Sequence, residues 1–133
     1  MKNNKGFTLI EMLVVIAVVG ILSAAVLTAL GPSRAKAKDT RIISALNQVR
    51  IVAETVFNGN YDLVIATQTQ IAPLVADIAT NGGGVASFTL TPTTLSTAYQ
   101  VHANLASGGY YCVDSIGTSK AYTTAPTWGA SCP

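Results

Sequence analysis

Few side chains in this 133-residue chain are placed to do chemistry, and the most informative is Glu11. From Phe7 to Leu30 it is the only charge in 24 residues. An ionised carboxylate inside a hydrocarbon core costs about 2.5–3.5 kcal/mol even on lenient insertion scales, so this one calls for a cationic partner. The bland alternative is an acid that snorkels to the interface or pairs within its own chain. Cys112 and Cys132 are the only cysteines, both in the C-terminal part. They suit one disulfide in an oxidising compartment, closing a loop of about 20 residues and contributing roughly 3 kcal/mol on the chain-entropy model. Read instead as thiols, they lack the His neighbours of a zinc site.

The remaining polar residues do not assemble a catalytic constellation. His102, the only histidine, sits in the alternating run Tyr99-Gln100-Val101-His102-Ala103 and reads as an outward-facing strand residue. Asp62, Asp77 and Asp114 are too dispersed for a carboxylate pair. Gly82 to Gly84 precede strand-like residues and lack the P-loop lysine. Asp114 and Ser115 offer a calcium loop few of the about 6–8 oxygens it needs, so they read as an ordinary polar loop. Trp128, with Tyr110, Tyr111, Tyr122 and Lys120, reads as packing beneath the disulfide loop, since one lysine and no basic stripe is not a nucleic-acid footprint. The expectation is a chain that is not an enzyme, has no cofactor or metal, and binds no specific nucleic acid.

The elements that must position these residues follow from composition and periodicity. Half of the residues are hydrophobic and 11% are charged, with a formal charge of +2. As a helix, Phe7 to Leu30 is long enough to cross a core of roughly 30 Å. Basic residues flank it on both sides, Lys2 and Lys5 before, Arg34, Lys36, Lys38 and Arg41 after, so the positive-inside rule gives no orientation. The cysteines do: an oxidised C-terminal part lies outside and the N-terminus inside. Gly31-Pro32 predicts a kink or local unwinding. Beyond it Ile42, Ala45, Leu46, Val49, Val52, Ala53 and Val56 recur at three- and four-residue steps, an amphipathic helix stopped by Asn58-Gly59-Asn60. If Phe7 to Phe57 is one helix, it is about 75 Å long. A short helix over Gln70–Ile78 precedes the break at Asn81-Gly82-Gly83-Gly84. Strand patterns follow at Ser87–Thr91, Ala98–Leu105, Tyr110–Asp114 and around Ala121–Thr123, with Gly108-Gly109 turning a hairpin. The product is α+β: a long N-terminal helix packed on a small antiparallel sheet. Its divisions are a leader over residues 1–6, a membrane segment over 7–30, an amphipathic continuation over 31–58, and a loop-and-sheet domain over 59–133.

Before the span stands the polar, basic leader Met1-Lys2-Asn3-Asn4-Lys5-Gly6. A secretory signal would instead be cleaved after its apolar region, and the apolar stretch continues past the small residues Ser23-Ala24-Ala25 to Leu30. With Gly6-Phe7-Thr8-Leu9-Ile10-Glu11 these features resemble the bacterial type IV pilins and the related type II secretion pseudopilins, over Lys5 to Phe57. The resemblance implies cleavage by a prepilin peptidase between Gly6 and Phe7, N-methylation of Phe7, and Glu11 meeting the terminal ammonium of a neighbouring subunit during assembly. It matches Gly20 to a glycine of the family's helical stem, which serves either as a melting point or as a site of close helix packing. Many pilins carry a stem proline near the place held here by Thr28, whereas this chain's proline comes later, at Pro32.

The implied function is a structural subunit that waits in the cytoplasmic membrane, N-terminus inside, and polymerises into a surface pilus for adhesion, twitching motility or DNA uptake. The implied partners are copies of itself, minor pilins, the prepilin peptidase, and an inner-membrane platform with its assembly ATPase. A type II secretion pseudopilin is the alternative within the resemblance. A membrane-tethered domain that never polymerises is the alternative outside it.

Overall fold

A single helical run, α1 (Leu9–Val56), is the first element of the chain. The structure is a computed structural model describing residues 6–65, 67–91, 95–126 and 131–133. It divides into two compact units, Met1–Arg34 and Ala35–Pro133. In the first, every described side chain from Phe7 to Leu30 is exposed, including Leu9 at 82% and Ile21 at 71%. Nothing in that unit buries an apolar face. Its helix starts at a capping box, Thr8-Leu9-Ile10-Glu11, in which the first turn's free backbone N–H groups are supplied with side-chain acceptors. Gly31 and Pro32 lie within the helical run. The local unwinding expected there is not seen, and Pro32 leaves only the carbonyl of Thr28 without its helical N–H partner. The Thr28 hydroxyl turns back to the Ala25 carbonyl at 2.9 Å.

In the second unit the C-terminal part of α1 buries Ile42, Ala45, Leu46, Val49 and Ala53. Val52 and Val56 pack against this core from its margin. Helix α2 (Ala72–Ile78) carries Pro73 in its first turn, where the absent N–H costs nothing. It runs into a π-helical turn, Ala79–Gly83. A Cβ on Gly83 would stand 2.7 Å from Ile78 Cγ2 and 3.0 Å from the Asn104 carbonyl, so only glycine closes this turn against the sheet.

Strands β1 (Ser87–Thr91), β2 (Ala98–Asn104), β3 (Tyr110–Asp114) and β4 (Ser119–Tyr122) form an antiparallel meander in that order. Alternation on β2 sends Tyr99, Val101 and Ala103 into the core, where they join Val64, Ile71, Ile78 and Val113. The β2–β3 turn places Gly108 and Gly109 at φ of 106° and 82°. A Cβ on Gly109 would also lie 2.6 Å from the Tyr122 carbonyl. The helix–sheet architecture is the α+β arrangement expected from the residue pattern.

Candidate assembly site at the helix N-terminus

Gly6, Phe7 and Thr8 precede the first helical residue, and all three are exposed. A side chain at Gly6 would meet nothing within 4 Å, so the fold supplies no steric reason for glycine there. The Gly6–Phe7 peptide is thus an extrahelical, accessible bond, the kind of segment a peptidase can bind in extended form.

One turn further on, Glu11 Oε2 accepts the Thr8 N–H at 2.8 Å and the Thr8 hydroxyl at 2.7 Å. The Glu11 N–H donates back to Thr8 Oγ1 at 3.3 Å. This reciprocal pair forms the cap of the helix. It also fixes the carboxylate's rotamer, and both bonds land on Oε2, leaving Oε1 open among the described residues. Phe7, Ile10, Val14 and Val15 border Glu11 in an open, apolar groove of about 370 Å³. The exposed lining of that groove is apolar, so Glu11 borders it with its stem. Thr8 was readable in the sequence, since T-x-x-E at a helix start is the capping-box spacing.

Gly20 and Gly31 likewise meet nothing within 4 Å, so any close approach at either would come from another molecule.

The C-terminal residues form a separate cluster within the second unit. Cys112 on β3 and Cys132 are joined in a disulfide across 20 residues of sequence. Asp114, wholly buried, accepts the N–H groups of Thr118 at 2.7 Å, Ile116 at 3.2 Å and Cys132 at 2.8 Å. Its carboxylate therefore ties the β3–β4 turn and the tail together, and Ser115 Oγ accepts the Tyr99 N–H. Two more carboxylates do comparable work. Asp39 on α1 accepts the Ser107 N–H at 3.1 Å and its hydroxyl, anchoring the β2–β3 turn. Asp62 accepts Ser96 N–H at 2.7 Å and Leu95 N–H at 3.0 Å. The Ser96 N–H and hydroxyl hold the Asp62 carboxyl below its usual range.

His102 lies on the sheet face away from the core, half-buried, with Nδ1 lacking a hydrogen-bond partner. Burial pushes its pKa below the ordinary 6.5. Tyr110, Tyr111 and Tyr122 are partly buried, and Lys120 Nζ sits 5.5 Å from the Tyr122 ring centre. The Tyr122 hydroxyl donates to the Pro133 carbonyl. Trp128 and the leader residues Met1 to Lys5 lie outside the described residues. A cleft of about 280 Å³ lined by Arg50, Glu54, Asp114 and Ser115 has Arg50 donating to the Gly117 carbonyl and Tyr61 donating to Glu54. Its charged groups serve the fold and present no nucleophile–base pair.

Comparison with known proteins places the same N-terminal segment in a family context. Residues 1–27 match the prokaryotic N-terminal methylation motif. A 47-residue stretch, 35% of this chain and 36% of the relative, is 49% identical to the type IV wide pilus major component PilA4 of Thermus thermophilus. A 64-residue stretch, 48% of this chain and 42% of the relative, is 34% identical to a fimbrial protein of Pseudomonas aeruginosa. The matched stretches thus span about two fifths of these relatives. No solved structure matches. The chain carries the prokaryotic N-terminal methylation motif and is similar over part of its length to type IV pilin subunits.

Proposed function

We propose that the chain is the precursor of a type IV pilus subunit, cut between Gly6 and Phe7, N-methylated at Phe7 and polymerised through its apolar segment. The observation that carries this reading is the methylation motif over residues 1–27 on a helix whose apolar side chains from Leu9 to Leu30 are all exposed. Lipid covers such a surface before assembly, and identical segments of neighbouring subunits cover it afterwards. Cleavage creates an ammonium at Phe7, and a neighbour's Glu11 offers it the open Oε1. Opposite charges at one level attract strongly in a low-dielectric core, and an unpaired one is costly, so the pair sets the axial register of an incoming subunit. Repeated head-to-tail contacts that do not close generate a helical fibre.

In this reading the protein is anchored in the cytoplasmic membrane with its N-terminus inside and the disulfide-tied domain outside, and it reaches the cell surface in the pilus. Its partners are other copies, minor pilins, the peptidase, and the platform and ATPase that drive assembly. The pilus names of the relatives favour a pilus subunit over a secretion pseudopilin.

Gly6→Leu tests the processing step. Expressed in the source cell, this variant should remain at full precursor mass and stay in the membrane fraction. A variant trimmed to a Phe7 start as efficiently as the wild type would contradict cleavage directed by Gly6.

A further inference from the structure

Asparagine followed by glycine occurs twice in the chain, at Asn58-Gly59 and Asn81-Gly82. The dipeptide carries chemistry of its own, because glycine has no Cβ to keep its backbone nitrogen away from the neighbouring side-chain amide. The reaction needs two freedoms: an amide that nothing holds, and a backbone able to bring the next nitrogen onto it.

The fold treats the two pairs differently. Asn58 and Gly59 are exposed in the bend after α1. The Asn58 side chain and the Gly59 N–H make no hydrogen bond among the described residues. A Cβ at Gly59 would meet nothing within 4 Å, so the space around the attacking nitrogen is open. Asn81, by contrast, is held. Its Nδ2 donates to the Asp77 carbonyl at 2.8 Å and to Asp77 Oδ1 at 3.1 Å, and it stands within the π-helical turn Ala79–Gly83. Asn60, beside the same bend as Asn58, accepts the Asp62 N–H at 3.0 Å and precedes Tyr61 rather than a glycine.

We infer that Asn58 is a site of spontaneous deamidation in the folded chain, and that Asn81 is protected. The Gly59 nitrogen gives its proton to solvent and attacks Asn58 Cγ. A bond forms between them, the Cγ–Nδ2 bond breaks and ammonia leaves, closing a succinimide. Water then opens the ring at either carbonyl, giving aspartate or, where the backbone-side bond breaks, isoaspartate. Asparagine and water are consumed, the acid and ammonia are produced, and nothing is oxidised or reduced. The new carboxylate stands just past the end of α1, whose last turn carries no basic residue. The negative end of the helix dipole disfavours a charge there, so the modification loosens that end of the helix. An aged chain thereby differs from a new one in charge.

The test incubates the full chain, solubilised in detergent at neutral and mildly alkaline pH, in water labelled with heavy oxygen, and maps its peptides by mass spectrometry. At Asn58 the amide should be replaced by a labelled acid, in chromatographically separate aspartate and isoaspartate peptides, faster at the higher pH. Asn81 should convert at least about tenfold more slowly, since both of its hydrogen bonds must break first. In urea the two sites should convert at similar rates. Asn58→Gln, an exposed and uncharged replacement, should remove most of the deamidation of the folded chain. Conversion at Asn58 confined to urea, or equal conversion at the two sites in the folded chain, would overturn the inference. So would undiminished deamidation in Asn58→Gln, or aspartate formed without isoaspartate, which would exclude the succinimide.

Discussion

The proposed function gives Glu11 a second role beside the one observed, and a single substitution can separate them. Its Oε2 caps the helix through Thr8, and in the proposed assembly its charge meets a neighbour's ammonium. Glutamine can take the third position of a capping box, so Glu11→Gln keeps the cap and removes the charge. Both Glu11→Gln and Glu11→Ala should accumulate normally in the membrane and lower sheared-filament yield at least about tenfold, since an unpaired buried ammonium costs several kcal/mol. Filament yield close to wild type from Glu11→Gln would show that capping alone explains the acid. Thr8→Ala loses about 1 kcal/mol of cap while keeping the charge, and its yield should fall between those of wild type and Glu11→Gln.

His102 gives a second residue-scale expectation. Because burial holds its folded pKa below 6.5, the unfolded chain takes up a proton first as pH falls. Asp62 acts in the same direction, its hydrogen-bonded carboxylate contributing stability above the ordinary carboxyl range that is lost as pH drops through its lowered pKa. Denaturant midpoints should therefore decline below about pH 6.5, and His102→Gln should flatten the pH 5–6.5 part of that decline. An unchanged slope in this variant would remove His102 as the cause.

At the scale of elements, the second unit is held by hydrogen bonds that bridge distant parts of the chain. Asp114→Ala strips the acceptor from three N–H groups, that of Cys132 being buried, and should cost at least about 2 kcal/mol with the disulfide intact. Urea unfolding of the detergent-solubilised chain measures it, and a loss below about 0.5 kcal/mol would show that the disulfide alone fixes the tail. Gly109→Ala combines a positive φ with a clash against the Tyr122 carbonyl and should cost of order 1–3 kcal/mol by the same measurement.

What was legible beforehand follows from the range of the interactions. The 3.6-residue repeat marked Ile42, Ala45, Leu46, Val49, Val52, Ala53 and Val56, of which the structure buries five and leaves Val52 and Val56 partly buried at the core's margin. Strand alternation and the Gly108-Gly109 turn located β1 to β3 within a residue, while β4 begins at Ser119, earlier than its short apolar run suggested. Helix α2 starts at Ala72, two residues after the expected Gln70, because the Gln68 side chain takes up the N–H groups of Gln70 and Ile71. By contrast, the anchoring roles of Asp39, Asp62 and Asp114 rest on partners up to 68 residues away, and no local pattern encodes them. Thr8 lies between these cases, its role written in a spacing of three.

For the whole molecule, the decisive fact is the contrast between two units. One has a packed core of its own, and the other exposes nearly all of its apolar side chains. A surface like that must be covered, and polymerisation and lipid are the two covers consistent with a methylation motif at its start. The central claim is that the chain leaves the second cover for the first after cleavage at Gly6. Intact mass and N-terminal fragmentation of protein from sheared surface filaments of the source cell test this most directly. The expected result is a chain beginning at N-methyl-Phe7 and lacking two hydrogens for the Cys112–Cys132 bridge. Recovery of only an uncleaved chain, confined to the membrane fraction and absent from filaments, would contradict it.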